Sequence, residues 1–173
     1  MSYRQSGVTL IEMMFVVLLI GILALLVSPL GGGWINSARV ADALSAMEQA
    51  VGQAKAAALR NPAATQGADA ASIICLSAAG VLSVRPAKPG VSPAAPTPAT
   101  CGVDDPAPLW STQLPAGVTI KMNDSTAWTC SCFTNKALLT NTGASCTSCG
   151  DSLEFTASAG SGTGGDNDKR TFF

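Results

Sequence analysis

From Val8 to Leu30 almost every side chain is Val, Leu, Ile, Met, Ala or Phe, and the single ionisable one is Glu12, near the front. About twenty such residues at ~1.5 Å rise per residue reach roughly 30 Å, the thickness of a bilayer's hydrocarbon core. A short polar leader, Met1 to Ser6, comes first, with Arg4 its one charge. The pattern changes at Gly31-Gly32-Gly33. Three glycines cost several times ~1 kcal/mol against Ala in a helix, so a flexible joint or break is expected there. From about Trp34 to Arg60 the apolar positions Leu44, Met47, Val51, Ala54 and Ala58 recur three and four apart, while Asp42, Glu48, Gln49, Lys55 and Arg60 lie off that stripe. This spacing predicts an amphipathic helix. Asn61-Pro62 ends it, because the residue before proline is pushed out of the α region.

Beyond that point the period drops to two. Ser72-Ile73-Ile74-Cys75-Leu76 and Val81-Leu82-Ser83-Val84 read as the strands of a hairpin turning at Ala78-Ala79-Gly80. Arg85 to Pro108 holds seven of the ten prolines and few large apolar side chains, which predicts a long irregular loop of polyproline character. Leu114 to Met122 reads as a turn into an alternating strand, Ala127 to Phe133 as another, and Leu153 to Thr156 as one more before the Gly/Ser stretch Ala159 to Gly165. Too little chain follows Gly165 for a further strand to be read. The chain thus divides into a leader over 1–7, an apolar helix over 8–30, an amphipathic continuation over 31–61 and a β-rich domain over 62–173 that carries the loop 85–108. The class is α+β.

A carboxylate inside such an apolar run costs at least ~2.5 kcal/mol to insert, so Glu12 needs a partner. A secretory signal peptide has a shorter apolar region and a small-x-small cleavage site, and none is convincing between Ser28 and Trp34. A plain single-pass anchor leaves Glu12 unexplained unless it snorkels to headgroup depth. Gly7-Val8-Thr9-Leu10-Ile11-Glu12 resembles the leader junction of type IV pilins and type II secretion pseudopilins, and that reading accounts for Gly7, Glu12 and the length and position of the run together. The resemblance implies a cut between Gly7 and Val8 by a prepilin peptidase on the cytoplasmic side, and methylation of the new amine of Val8. It further implies that Glu12 pairs with the N-terminal amine of a neighbouring subunit during assembly. A buried carboxylate and a buried ammonium are each costly alone and tolerable together. Gly21 and Pro29 fall where many pilins carry helix-weakening residues, and Pro29 should kink or loosen the helix near Leu25 to Pro29.

The fold implied is type IV pilin-like: a long N-terminal helix, membrane-spanning in its first half, packed on a small antiparallel β-sheet with disulfide-bonded loops. Leu114-Pro115-Ala116-Gly117-Val118, and Leu153-Glu154-Phe155 followed by glycines, resemble segments of the H-type pseudopilin group and its related minor pilins. The Cys75 strand after an Ala-rich helix fits the same group. The function implied is that of a structural subunit of a type IV pilus, a minor pilin acting in assembly. The alternatives are a pseudopilin of a type II secretion system, or a tip-located adhesive or DNA-binding minor pilin. The implied partners are other pilin subunits, the prepilin peptidase, the inner-membrane assembly platform and the membrane itself before assembly. The implied location is the bacterial inner membrane, single-pass with the N-terminus cytoplasmic, and then the surface pilus.

Composition trims these options. Charged residues make up 12% of the 173 and the net charge is −1, which is not a polybasic nucleic-acid binder. Nucleic acid as a partner would need Lys121, Lys136, Lys169 and Arg170 to cluster, and that electrostatic footprint is weak. Arg4 and the initiator amine precede the apolar run and Arg39 is the first charge after it, compatible with the N-terminus inside. Cys75, Cys101, Cys130, Cys132, Cys146 and Cys149 form an even set beyond the run. An oxidising compartment favours up to three disulfides among them, with fifteen connectivities open. The working expectation joins Cys75 to Cys101 and pairs the other four among themselves.

Cys130-x-Cys132 and Cys146-x-x-Cys149 could instead hold tetrahedral Zn²⁺, but the C-x-C spacing and an exported domain favour disulfides, so no metal and no cofactor are expected. Histidine is absent and no glycine motif precedes a helix to cradle phosphate, so no catalytic constellation is visible and no enzyme is expected. Asp104-Asp105 reads as solvated. Gly160 to Gly165 with Asp166 and Asp168 lacks the ligand spacing of an EF-hand. Trp110, Trp128 and Phe133 read as core or half-buried sheet residues.

Overall fold

The structure, a computed structural model, describes residues 9–27, 31–90, 95–102, 106–122, 126–141, 149, 152–160 and 166–171. The chain forms two compact units, Met1–Ile35 and Asn36–Phe173. In the first, helix α1 runs over Leu10–Val27. The Thr9 carbonyl accepts the amides of Glu12 and Met13 at 3.1 and 3.3 Å, closing its first turn. Its large apolar side chains from Leu10 to Leu23 are all exposed, as expected of a helix that is apolar all round and made for a non-aqueous setting. Among the described residues no helix is long and apolar enough to cross a membrane. The 18 residues of α1 rise about 27 Å against a hydrocarbon core of about 30 Å.

Helix α2 spans Gly31–Arg60, and here one expectation is corrected. The three glycines are themselves helical, the first described residues of α2. Glycine costs least at a helix start, where the first amides lack intrahelical partners in any sequence. Pro29 and the expected kink lie at residues 28–30, outside the described residues.

Within the second unit the stripe on α2 is buried: Leu44, Met47, Ala54 and Ala58 are fully covered and Val51 nearly so. Arg60 is followed by Asn61 at φ +41°, a left-handed position that Asn tolerates and that ends the helix. The Asn61 Oδ1 accepts from Thr65 N at 2.9 Å and Thr65 Oγ1 at 2.8 Å, and its Nδ2 donates to the Thr65 carbonyl at 2.8 Å.

Two antiparallel sheets pack with α2, where one small sheet is expected from the sequence. The first contains β1 (Ser72–Leu76), β2 (Val81–Pro86), β3 (Trp110–Gln113), β6 (Cys130–Phe133) and β7 (Leu139–Thr140), in the order β3-β2-β1-β6-β7. The second contains β4 (Val118–Met122), β5 (Thr126–Ala127), β8 (Glu154–Ala159) and β9 (Asp166–Thr171), in the order β5-β4-β8-β9. The expected single strand Ala127 to Phe133 is divided between them. Ala127 pairs with Lys121 in the second sheet and Cys130 with Cys75 in the first. Trp128 makes the crossing. It is 2% exposed, donates Nε1–H to Ser131 Oγ at 2.9 Å, and stands edge-on to Phe155 with ring centroids 5.3 Å apart.

A further strand does follow Gly165. All six residues of β9 pair with β8, from Asp166↔Ala159 to Glu154↔Thr171. Its polar sequence has no apolar alternation to announce it; an edge strand needs only its neighbour's main-chain groups. The shared core joins α2 to Ile74, Leu82, Val84 and Phe133 of the first sheet and to Ile120, Phe155, Ala157 and Ala159 of the second. Ser72 Oγ donates to the Ala54 carbonyl at 2.7 Å, tying β1 to the middle of α2.

Candidate functional site: the apolar helix and the disulfide face

Glu12 stands in the first turn of α1 with its side chain exposed. A carboxylate there complements the partial positive charge of the helix N-terminus. Thr9, Ile11, Phe15, Val16 and Leu19 line the surface beside it. An acceptor ringed by aliphatic and aromatic side chains can take an ammonium supplied from outside the chain. The removal of water by the same contact strengthens that pair. Gly21 lies in the middle of α1, with open space where a Cβ would project. Gly7 and Val8 lie outside the described residues.

At the other end of the chain, alternation along β1 and β6 sends Ile74 and Phe133 into the core with α2, and Ile73, Cys75, Cys130 and Cys132 to the opposite face. The register pairs Cys75 with Cys130 and Ile73 with Cys132. Cys75 is bonded to Cys101, and Cys132 to Cys149, each with Cα atoms 5.7 Å apart. Cys130 Sγ lies 3.9 Å from Cys149 Sγ, and Cys130 and Cys149 also form a parallel backbone bridge. Cys146 is outside the described residues. Ala63, Ala70, Ala87 and Ala99 fill the space among the sulfurs. The sheet is therefore covered on both faces, by α2 on one and by disulfide-bonded loops on the other. With Cys132 and Cys149 bonded to each other they are not thiolates, and among the described residues no cluster of three or more potential metal ligands exists.

The Pro-rich segment is more ordered at its base than its composition predicts. The strand β2 continues through Arg85 and Pro86. Lys88 and Thr97 exchange two main-chain hydrogen bonds of 3.0 Å, while Ala87 and Ala99 donate to the Ala71 and Ala70 carbonyls at 2.9 Å. Arg85 Nη1 donates to the carbonyls of Gly102 and Pro106 at 3.4 and 3.3 Å. Asp104 and Asp105 lie outside the described residues. Sequence reasoning missed this arginine clamp. The only signal was a cation at the edge of a Pro/Ala-rich stretch.

The basic residues are placed in part. Lys121, Thr156 and Lys169 share one row across β4, β8 and β9. Arg170 pairs with Phe155, and Lys136 belongs to the turn between β6 and β7 of the other sheet. Trp110 is half-buried, Trp128 and Phe133 are buried, and Trp34 is exposed.

No curated protein and no solved structure matches the chain. The family model of the prokaryotic N-terminal methylation motif matches residues 2–28, a stretch that holds the leader, the Gly7-Val8 junction, Glu12 and all of α1. The N-terminal segment of this chain carries the prokaryotic N-terminal methylation motif, a match confined to residues 2–28.

Proposed function

We propose that the chain is a minor subunit of a type IV pilus or closely related fibre, and that its N-terminal helix serves first as a membrane anchor and then as the assembly element. The observation that supports this most is Glu12: one carboxylate in the first turn of a helix exposed and apolar on every side, within a matched N-terminal methylation motif. In this reading the prepilin peptidase cuts between Gly7 and Val8 and the amine of Val8 is methylated. Residues 8–30 span the inner membrane, at about 34 Å if helical throughout. Glu12 then meets the N-terminal amine of a neighbouring subunit as the helix leaves the bilayer for the fibre core. The β-rich unit stays outside the inner membrane, where its disulfides are stable.

The test is quantitative mass spectrometry of sheared surface fibres and of the membrane fraction, for the native chain and for Glu12→Ala. A trace peptide beginning at Val8 in the fibres is the expected result, with the variant still cleaved but lost from them. A dominant fibre signal would make this the major subunit. A processed membrane pool with none in the fibres would make it a secretion pseudopilin. Normal incorporation of Glu12→Ala would refute the assembly role of the carboxylate.

A further inference from the structure

Trp34 is 81% exposed and its neighbour Ile35 50%. The other two indoles of the chain are covered in part or in full: Trp110 is half-buried in β3 and Trp128 is 2% exposed in the core. Trp34 sits in the opening turn of α2, directly after three glycines. No charged residue lies between Glu12 and Arg39. At ~1.5 Å per residue, a helix continuous from Leu30, the last residue of the apolar run, would carry Trp34 about 6 Å beyond it. The headgroup layer on each side of a bilayer is about 5–7 Å deep, taken as half the difference between total and hydrocarbon thickness. An indole is built for that layer, with an apolar ring and one N–H that seeks a polar partner.

We propose that Trp34 is a membrane-interface anchor. In the subunit awaiting assembly its indole lies in the headgroup layer at the C-terminal end of the apolar run, and it fixes the depth of the apolar helix. The three glycines before it place no side chain between the end of the run and the indole. The occupant of this surface is lipid, because the position follows from the length of the apolar run. This rests on the reading of residues 8–30 as a membrane span.

The test uses the full chain in anionic phospholipid vesicles at low protein-to-lipid ratio. Subtracting the Trp34→Ala spectrum from that of the native chain isolates Trp34 from Trp110 and Trp128. The expected difference emission is blue-shifted and quenched several-fold more by nitroxides near the headgroups than by nitroxides deep in the acyl chains. Stronger quenching by the deep probe would put the residue in the hydrocarbon and overturn the proposal. So would water-like emission quenched by neither probe, or a blue shift without quenching that disappears on dilution with lipid, which would assign the surface to a second subunit. Flotation separates the two readings: a chain that floats with vesicles but shows one of these results loses the interface anchor alone. A chain that does not float loses the membrane span as well.

Discussion

Replacing Cys75 and Cys101 together by Ala tests whether the covered outer face of the first sheet depends on its covalent tie. The bond closes a loop of 26 residues in sequence separation, and the chain-entropy estimate gives about 3.5 kcal/mol at 25 °C for a loop of that length. Cys75 is 6% exposed, so loss of its sulfur adds a small cavity cost of about 1 kcal/mol. The sum, about 3.5–4.5 kcal/mol, is a large share of a typical domain stability of about 5–15 kcal/mol. The assay is urea unfolding of the full chain in detergent micelles, followed by the fluorescence of buried Trp128. With m near 1–3 kcal/mol per molar, the midpoint should fall by about 1–4.5 M.

The second bond closes a separation of 17, worth about 3 kcal/mol on the same estimate. The two loops do not overlap, so a thiol reductant should lower the double variant by a further increment close to that value. A double variant within about 1 kcal/mol of the native chain would refute the entropic account. It would show that the main-chain bonds of Ala87 and Ala99 and the Arg85 clamp hold the segment without the disulfide.

Other substitutions probe different links. Phe155→Ala removes a fully buried ring that meets Trp128 edge-on and should cost about 3–5 kcal/mol, with part recovered by Phe155→Leu; the same urea titration measures both. Asn61→Ala takes three hydrogen bonds from Thr65, itself 1% exposed, and leaves Ala at φ +41°. It should cost about 2–3 kcal/mol, whereas Asn61→Gly removes the strain but not the lost bonds and should fall between.

What could be read from the sequence is what rests on local periodicity. Leu44, Met47, Val51, Ala54 and Ala58 are three and four apart, and no tertiary partner is needed to see the face they make. Ser72 to Leu76 and Val81 to Val84 turn about Gly80, whose φ of +77° explains the glycine. The strand β9 was invisible because Asp166 to Thr171 is held by main-chain pairing to β8, which leaves no mark in side-chain pattern. The crossing at Trp128 was invisible for a related reason: an apolar run with β-branched and aromatic residues reads as one strand whether or not it changes sheets. Among candidate site residues, Glu12 stood out as a lone charge in an apolar run. Arg85 did not, because its partners are the carbonyls of Gly102 and Pro106, and any residue has a carbonyl.

The make-up of α1 bears on how such a subunit can change surroundings. The twelve large apolar side chains of α1 from Leu10 to Leu23 are between 45% and 78% exposed, and withdrawing what they expose from water is worth roughly 10–20 kcal/mol. That quantity disfavours a water-exposed resting state; on the proposed reading the cover is lipid or the apolar helices of other subunits. Neither core cluster contains a residue of α1; the cores are closed by α2, the two sheets and the disulfide-bonded loops. On the proposed reading, a subunit can exchange lipid for neighbouring helices while its β-rich unit stays folded, and the exchange is governed by two small features. Glu12 is poorly accommodated in lipid until an ammonium arrives, and Trp34 is well placed in headgroups until the helix is withdrawn. One favours leaving the membrane and the other favours staying, so Trp34→Ala should increase the extracted fraction of subunits and Glu12→Ala should reduce it.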